Sequence, residues 1–136
     1  MAANVLVDTS FLVAFLSRRD ANHEWAATQA SKLPLPWRTC EPVLSETFHI
    51  LGQRGANQLI DLLGRRALVC AFQLDDNLAA VLKFLEKYAD VPMSLADACL
   101  LRMTEMLADP ILFTADTDFR IYRRHSRQAV PCVMPA

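Results

Sequence analysis

The chain has 136 residues, 53% of them hydrophobic, and a formal net charge of −1. That length suits one domain with room for a real core, and the apolar fraction excludes a disordered chain. The near-neutral balance excludes the global basic field that marks many nucleic-acid binders.

Residues 4–7 form a brief β-branched apolar run and predict a short buried strand. Thr9 or Ser10 can cap a helix over 11–17, and a second helix is expected over 22–32. A short strand is expected over 36–40, after which Pro42 opens a helix running to about Leu51. Gly52 and Gly55 punctuate that helix, and another follows over 56–65. A third strand is expected over 67–72. Leu78, Val81, Leu82, Leu85 and Tyr88 recur at helical spacing and predict an amphipathic helix over 76–88. Ser94 starts a largely apolar helix to about Leu107. A fourth strand over 111–114, a short helix over 117–124 and a last strand over 129–133 complete the chain. Strands alternating with helices predict an α/β fold, with about five short parallel strands sandwiched between helices.

The N-terminal apolar run from 5 to 16 is interrupted by Asp8, and its cations, Arg18 and Arg19, follow it. It is a poor signal peptide and too short to span a membrane, so no membrane partner is expected. The four cysteines, at 40, 70, 99 and 132, are too far apart for a metal knuckle or redox pair. They read as small buried thiols, which fits a reducing cytoplasm.

Four acids stand out because each sits in an apolar or element-ending context: Asp8, Glu46, Asp97 and Asp116. Buried carboxylates are costly unless paired or bound to a cation. Ligands of open α/β sheets bind beyond the carboxyl ends of the strands, where strand order reverses. Asp8 directly follows the first strand and Asp116 lies just beyond the fourth; if those strands are neighbours, both project into one crevice. Glu46 and Asp97 lie in the first turns of their helices, which can open toward the same edge. Together the four would make a divalent-metal site.

Each acid also has a plain structural reading. Asp8 can cap the first helix. Asp97 can complete a capping box with Ser94. Glu46 can be a surface residue, and Asp118 a cap for the helix carrying Phe119 and Tyr122. The arginines Arg120, Arg123, Arg124 and Arg127 either line a solvated face or meet a phosphate or an acidic partner, and Arg18–Arg19 and Arg65–Arg66 form smaller basic pairs. The joint pattern of acids, not any one of them, points to a site.

Four segments carry a family resemblance: Val5-Leu-Val-Asp-Thr-Ser10, Leu44-Ser-Glu46, Tyr88-Ala-Asp-Val-Pro-Met-Ser-Leu-Ala-Asp-Ala98 and Leu112-Phe-Thr-Ala-Asp-Thr-Asp-Phe119. In order and spacing they resemble the motifs of PIN-domain ribonucleases, and among these the VapC-type toxins of prokaryotic toxin–antitoxin pairs. The resemblance implies a single PIN-like nuclease domain over residues 1–136. It implies catalytic roles for Asp8, Glu46, Asp97 and Asp116, with Asp8, Asp97 and Asp116 binding metal. Ser10 and Thr114 match supporting hydroxyls, Asp118 is an auxiliary acid, and Arg120, Arg123 and Arg124 are expected to meet RNA or a partner. The implied activity is Mg²⁺-dependent RNA cleavage, with Mn²⁺ able to substitute. Hard oxygen ligands suit those ions, and a bound ion acidifies water and neutralises phosphoryl charge. Glu46 would orient or deprotonate the attacking water, or complete the metal shell. The implied partners are an RNA substrate, a separately encoded antitoxin and a second copy of the chain in a homodimer.

Other classes fit less well. A non-catalytic PIN-like module binding RNA or protein has no need of an intact acid set. A phosphoryl-accepting receiver domain wants a lysine near its last strand, whereas Lys32, Lys83 and Lys87 all fall in predicted helices. An aspartyl-nucleophile phosphatase usually carries an acid two residues after the first, where this chain has Ser10.

Overall fold

The computed structural model describes residues 3–136. Five parallel strands form one sheet: β1 (Asn4–Val7), β2 (Trp37–Thr39), β3 (Leu68–Cys70), β4 (Pro110–Phe113) and β7 (Cys132–Val133). Their order is β3-β2-β1-β4-β7. The chain therefore steps outward from β1 to one edge, then returns to the other side of β1. The reversal falls between β1 and β4, which pair in parallel from Asn4↔Pro110 to Val7↔Phe113. The condition for the acids to meet is thus fulfilled: the first and fourth strands are neighbours.

Five helices flank the sheet: α1 (Thr9–Leu16), α2 (His23–Ala30), α3 (Glu41–Gly64), α4 (Leu78–Lys87) and α5 (Leu95–Met106). The continuous apolar runs of β1 and β4 are what a doubly covered strand requires; Val5, Leu6, Val7, Leu112 and Phe113 are all buried. Phe11, on α1, is fully buried and meets the rings of Trp25, Trp37 and Phe113 at 5.6, 5.6 and 5.7 Å. Each such large side chain contributes about 2–3 kcal/mol by leaving water. Trp25 and Trp37 thus work in the core, and Phe48 packs half-buried against it.

Gly52 breaks α3 as its position predicts: φ is +64° and ψ −167°, a conformation open to glycine and hostile to other residues. The second segment resumes at once rather than at residue 56. Among the described residues no helix is long and apolar enough to cross a membrane.

The C-terminal segment differs from expectation. In place of a helix over 117–124 there is one 3₁₀ turn, Thr117–Arg120, and then β5 (Arg123–Arg124). In place of one last strand there are two: β6 (Gln128–Ala129), antiparallel to β5, and β7, which joins the main sheet beside β4. The turn between β5 and β6 places His125 and Ser126 at φ +49° and +67°. Neither residue advertises that conformation as an Asn-Gly pair would.

Candidate metal centre

A cleft of about 420 Å³ opens at the carboxyl ends of β1 and β4, and Asp8, Glu46, Asp97 and Asp116 all line it. Asp118 lines it too, as does Asp20 from the loop after α1, an acid the sequence did not single out.

Asp8 ends β1 and is buried, only 5% exposed. Its Oδ1 accepts from Ser10 Oγ at 2.7 Å and from the Phe11 N–H at 3.0 Å. Its Oδ2 accepts from Thr114 Oγ1. The Phe11 bond is an N-cap of α1, so the plain structural reading of Asp8 holds alongside its place in the cleft. Three of the roughly four acceptor sites of its carboxylate are used, leaving one lone pair for a further partner. Three donors favour the charged form, yet burial outweighs them and raises its pKa, with the Asp116 charge adding to the rise.

Ser10 and Thr114 tie the two strand ends together. Ser10 Oγ accepts from the Ala115 N–H at 2.8 Å, and Thr114 Oγ1 accepts from the Asp116 N–H at 2.9 Å. Each hydroxyl has one hydrogen and gives it to Asp8, so their mutual 3.3 Å approach is a contact between acceptors. The expected supporting hydroxyls thus hold the Asp8 carboxylate and the Asp116 backbone in one frame.

Asp97 sits in the first turn of α5. Ser94 Oγ accepts from its N–H at 3.0 Å, which is half of the expected capping box. The carboxylate takes another course: Oδ2 accepts from Tyr122 Oη at 2.9 Å. Partial burial pushes the Asp97 pKa up to about 6; the Tyr122 and Ser94 hydroxyls oppose the rise, and the Asp116 and Asp8 charges reinforce it. Tyr122 in turn is fully buried, and its own pKa is raised, first by burial and then by Asp97. Its ring lies 5.0 Å from Tyr88 and 5.2 Å from Phe119. Tyr122 is the positioning residue the sequence reading passed over. The available signal was an early helical acid in apolar surroundings, which needs a donor.

Asp116 caps the 3₁₀ turn, its Oδ1 accepting from the Asp118 N–H at 2.9 Å. That turn brings Asp118 inward. One carboxylate oxygen each from Asp97, Asp116 and Asp118 lies within 4.8 Å of the others. All three side chains are half-buried. Hard oxygens this close suit a divalent cation and repel one another without one. The family resemblance implied metal at Asp8, Asp97 and Asp116; the geometric trio shares two of these and draws in Asp118. Glu46 stands exposed at the rim.

The C-terminal arginines are not alike. Arg123 Nη1 donates to the carbonyls of Arg120 and Tyr122 at 2.7 and 2.9 Å. Arg124 donates to the Thr104 carbonyl and, at 3.0 Å, to Gln128 Oε1. Both thus hold the β5–β6 hairpin and its neighbours in place. Arg120 is exposed beside the acidic turn.

A family model described as "PIN domain" matches residues 5–124. No curated protein matches the chain. The fold is similar to the crystal structure of Mycobacterium tuberculosis VapC20, described as a sarcin–ricin loop cleaving toxin. The TM-score is 0.74 at 22% sequence identity, covering 84% of this chain and 91% of that one.

Proposed function

This chain belongs to the PIN domain family, and from that premise we propose that it is a divalent-metal-dependent endoribonuclease, the toxin of a toxin–antitoxin pair. The observation that carries the proposal is the convergence of Asp97, Asp116 and Asp118 within 4.8 Å in the cleft at the carboxyl ends of β1 and β4. The likeness to VapC20, itself a sarcin–ricin loop cleaving toxin, supports the toxin reading.

Asp97, Asp116 and Asp118 would hold Mg²⁺ or Mn²⁺, with Asp8 contributing its one remaining lone pair from the floor of the cleft. A bound ion supplies charge neutralisation at the phosphoryl oxygens and a more acidic water. The residues themselves do the rest. Asp8, fixed by Ser10 and Thr114, keeps the ends of β1 and β4 at a constant separation. Tyr122 fixes the Asp97 carboxylate so that it does not reorient when charge changes beside it. Glu46 orients the attacking water from the rim and takes its proton as the water adds to phosphorus and the ester oxygen leaves in line. Arg120, exposed at the end of the 3₁₀ turn that carries Asp118, would meet a phosphate next to the scissile one. A separately encoded antitoxin and a homodimer complete the proposal.

The test is cleavage of a mixed, structured RNA pool by wild type and Asp8→Asn, each with Mg²⁺, Mn²⁺ or EDTA, after removal of co-purifying partners. Metal-dependent cutting that disappears in the variant is the expected result. A folded wild type that binds RNA but no metal would instead place the chain among non-catalytic PIN-like modules.

A further inference from the structure

A second groove adjoins the acid cleft, and Val13 and Ile50 line both. Its walls are the end of α1, the residues just after it, and the second segment of α3. Charge changes sign across the shared wall. The cleft is lined by six acids and, among the described residues, no lysine or arginine. The groove carries Arg18, Arg19, Arg54 and Arg65, with Asp61 as its acid. Arg65 donates to Asp61 at 3.0 Å. Arg18, Arg19 and Arg54 are exposed and make no ion pair among the described residues.

The sequence builds this groove by two local devices. Helix α1 stops at Leu16, so the Arg18–Arg19 pair falls in the turn beyond its end. Gly52 breaks α3 with a left-handed φ, and Arg54 then stands in the first turn of the redirected segment. Both basic features converge on one side of the acids.

A cleft lined by carboxylates repels a polyanion everywhere except at the phosphate its cation holds. The substrate must therefore be gripped from outside the cleft, by cations within a few nucleotides of the cut. Arg123 and Arg124 at the C-terminus have their guanidinium groups engaged on carbonyls, whereas Arg18, Arg19 and Arg54 do not. We infer that this groove binds the backbone phosphates of single-stranded RNA flanking the cut, with Arg18, Arg19 and Arg54 as the contacting residues. The inference rests on the nuclease reading. An acidic polypeptide is the other occupant a basic groove could take; RNA is favoured because the groove shares Val13 and Ile50 with the cleft that holds the acid trio.

The experiment measures binding of a fluorescent single-stranded RNA oligonucleotide by anisotropy in EDTA over a range of salt. It compares wild type with Arg18→Gln/Arg19→Gln, with Arg54→Gln, and with Arg66→Gln as a control outside the groove. Wild-type Mn²⁺ binding and cleavage with Mn²⁺ are assayed alongside. Groove variants should bind roughly tenfold more weakly, with a salt slope shallower by about 0.7 for each phosphate no longer neutralised. Where cleavage is measurable, their KM should rise at unchanged kcat, and the control should match wild type. Groove-dependent RNA binding by a wild type that neither binds Mn²⁺ nor cuts RNA would uphold the groove as an RNA site and sink the nuclease reading. RNA binding unchanged in the groove variants, absent from wild type, or displaced in favour of a polyglutamate probe would overturn the inference.

Discussion

Asp8 and the trio of Asp97, Asp116 and Asp118 share one cleft but live under different rules. Asp8 is buried and accepts three hydrogen bonds from Ser10, Phe11 and Thr114. The trio is half-buried, and its members face one another within 4.8 Å. Donor saturation separates the two cases. A carboxylate whose lone pairs are nearly filled by the protein holds the frame; one left facing other carboxylates awaits a cation. Substitutions at the two places should therefore differ in kind.

The largest expected effect is at the trio. Asp116→Asn should lower RNA cleavage about 100-fold or more, since it removes charge where metal and transition state need it. Its melting temperature in EDTA should equal or exceed that of wild type, because a repelling charge is gone. A variant that melts well below wild type in EDTA would mean that Asp116 belongs to the frame.

Next comes the frame. Thr114→Val leaves Asp8 Oδ2 without its donor and should cost about 1–3 kcal/mol of stability, read by urea denaturation. It should weaken metal binding only secondarily. Equal stability for the variant would remove the distinction between the two regions.

Titration sharpens the comparison further. The folded state holds the Asp97 proton more tightly than the unfolded chain does, with a pKa of about 6. The stability linked to this group is fully present below the ordinary carboxylate range and is lost as pH rises through about 6; the raised Asp8 works in the same direction. Without metal, the melting temperature should therefore fall between about pH 4 and pH 6. With Mn²⁺ the trend should reverse, because only deprotonated carboxylates bind. A metal-free melt that rises over that interval contradicts the assignment. The smallest effect belongs to Tyr122→Phe. Losing its hydroxyl should raise the Asp97 pKa, move the acid limb of the pH–rate profile upward and weaken metal affinity by about 10-fold or more. An unmoved acid limb would leave Tyr122 with a packing role alone.

The parts of this fold legible in the sequence were those where one physical rule dominates. Residues 4–7 and 111–114 hold apolar runs too short for anything but buried strands; the first strand occurs where expected and the fourth, Pro110–Phe113, one residue early. Gly52 marked the break in α3 because only glycine settles easily at that φ and ψ. Asp8, Asp97 and Asp116 stood out because partial or full burial makes a lone carboxylate expensive; Glu46 is exposed, and its apolar sequence neighbours face elsewhere. What escaped notice depends on distant partners. Tyr122 reads as an ordinary core aromatic until Asp97, 25 residues earlier in sequence, is placed against its hydroxyl. The hairpin of β5 and β6 turns on His125 and Ser126 at positive φ, which carry no glycine or asparagine signal. The C-terminal arginines looked like one basic cluster, yet Arg123 and Arg124 serve local carbonyls and Arg120 does not.

The most direct test of the metal centre is a Mn²⁺ titration followed by electron paramagnetic resonance, on wild type and on Asp97→Asn, Asp116→Asn and Asp118→Asn. The account predicts saturable binding by wild type, with affinity reduced about 10-fold or more in each variant. Wild-type affinity retained in all three would contradict it.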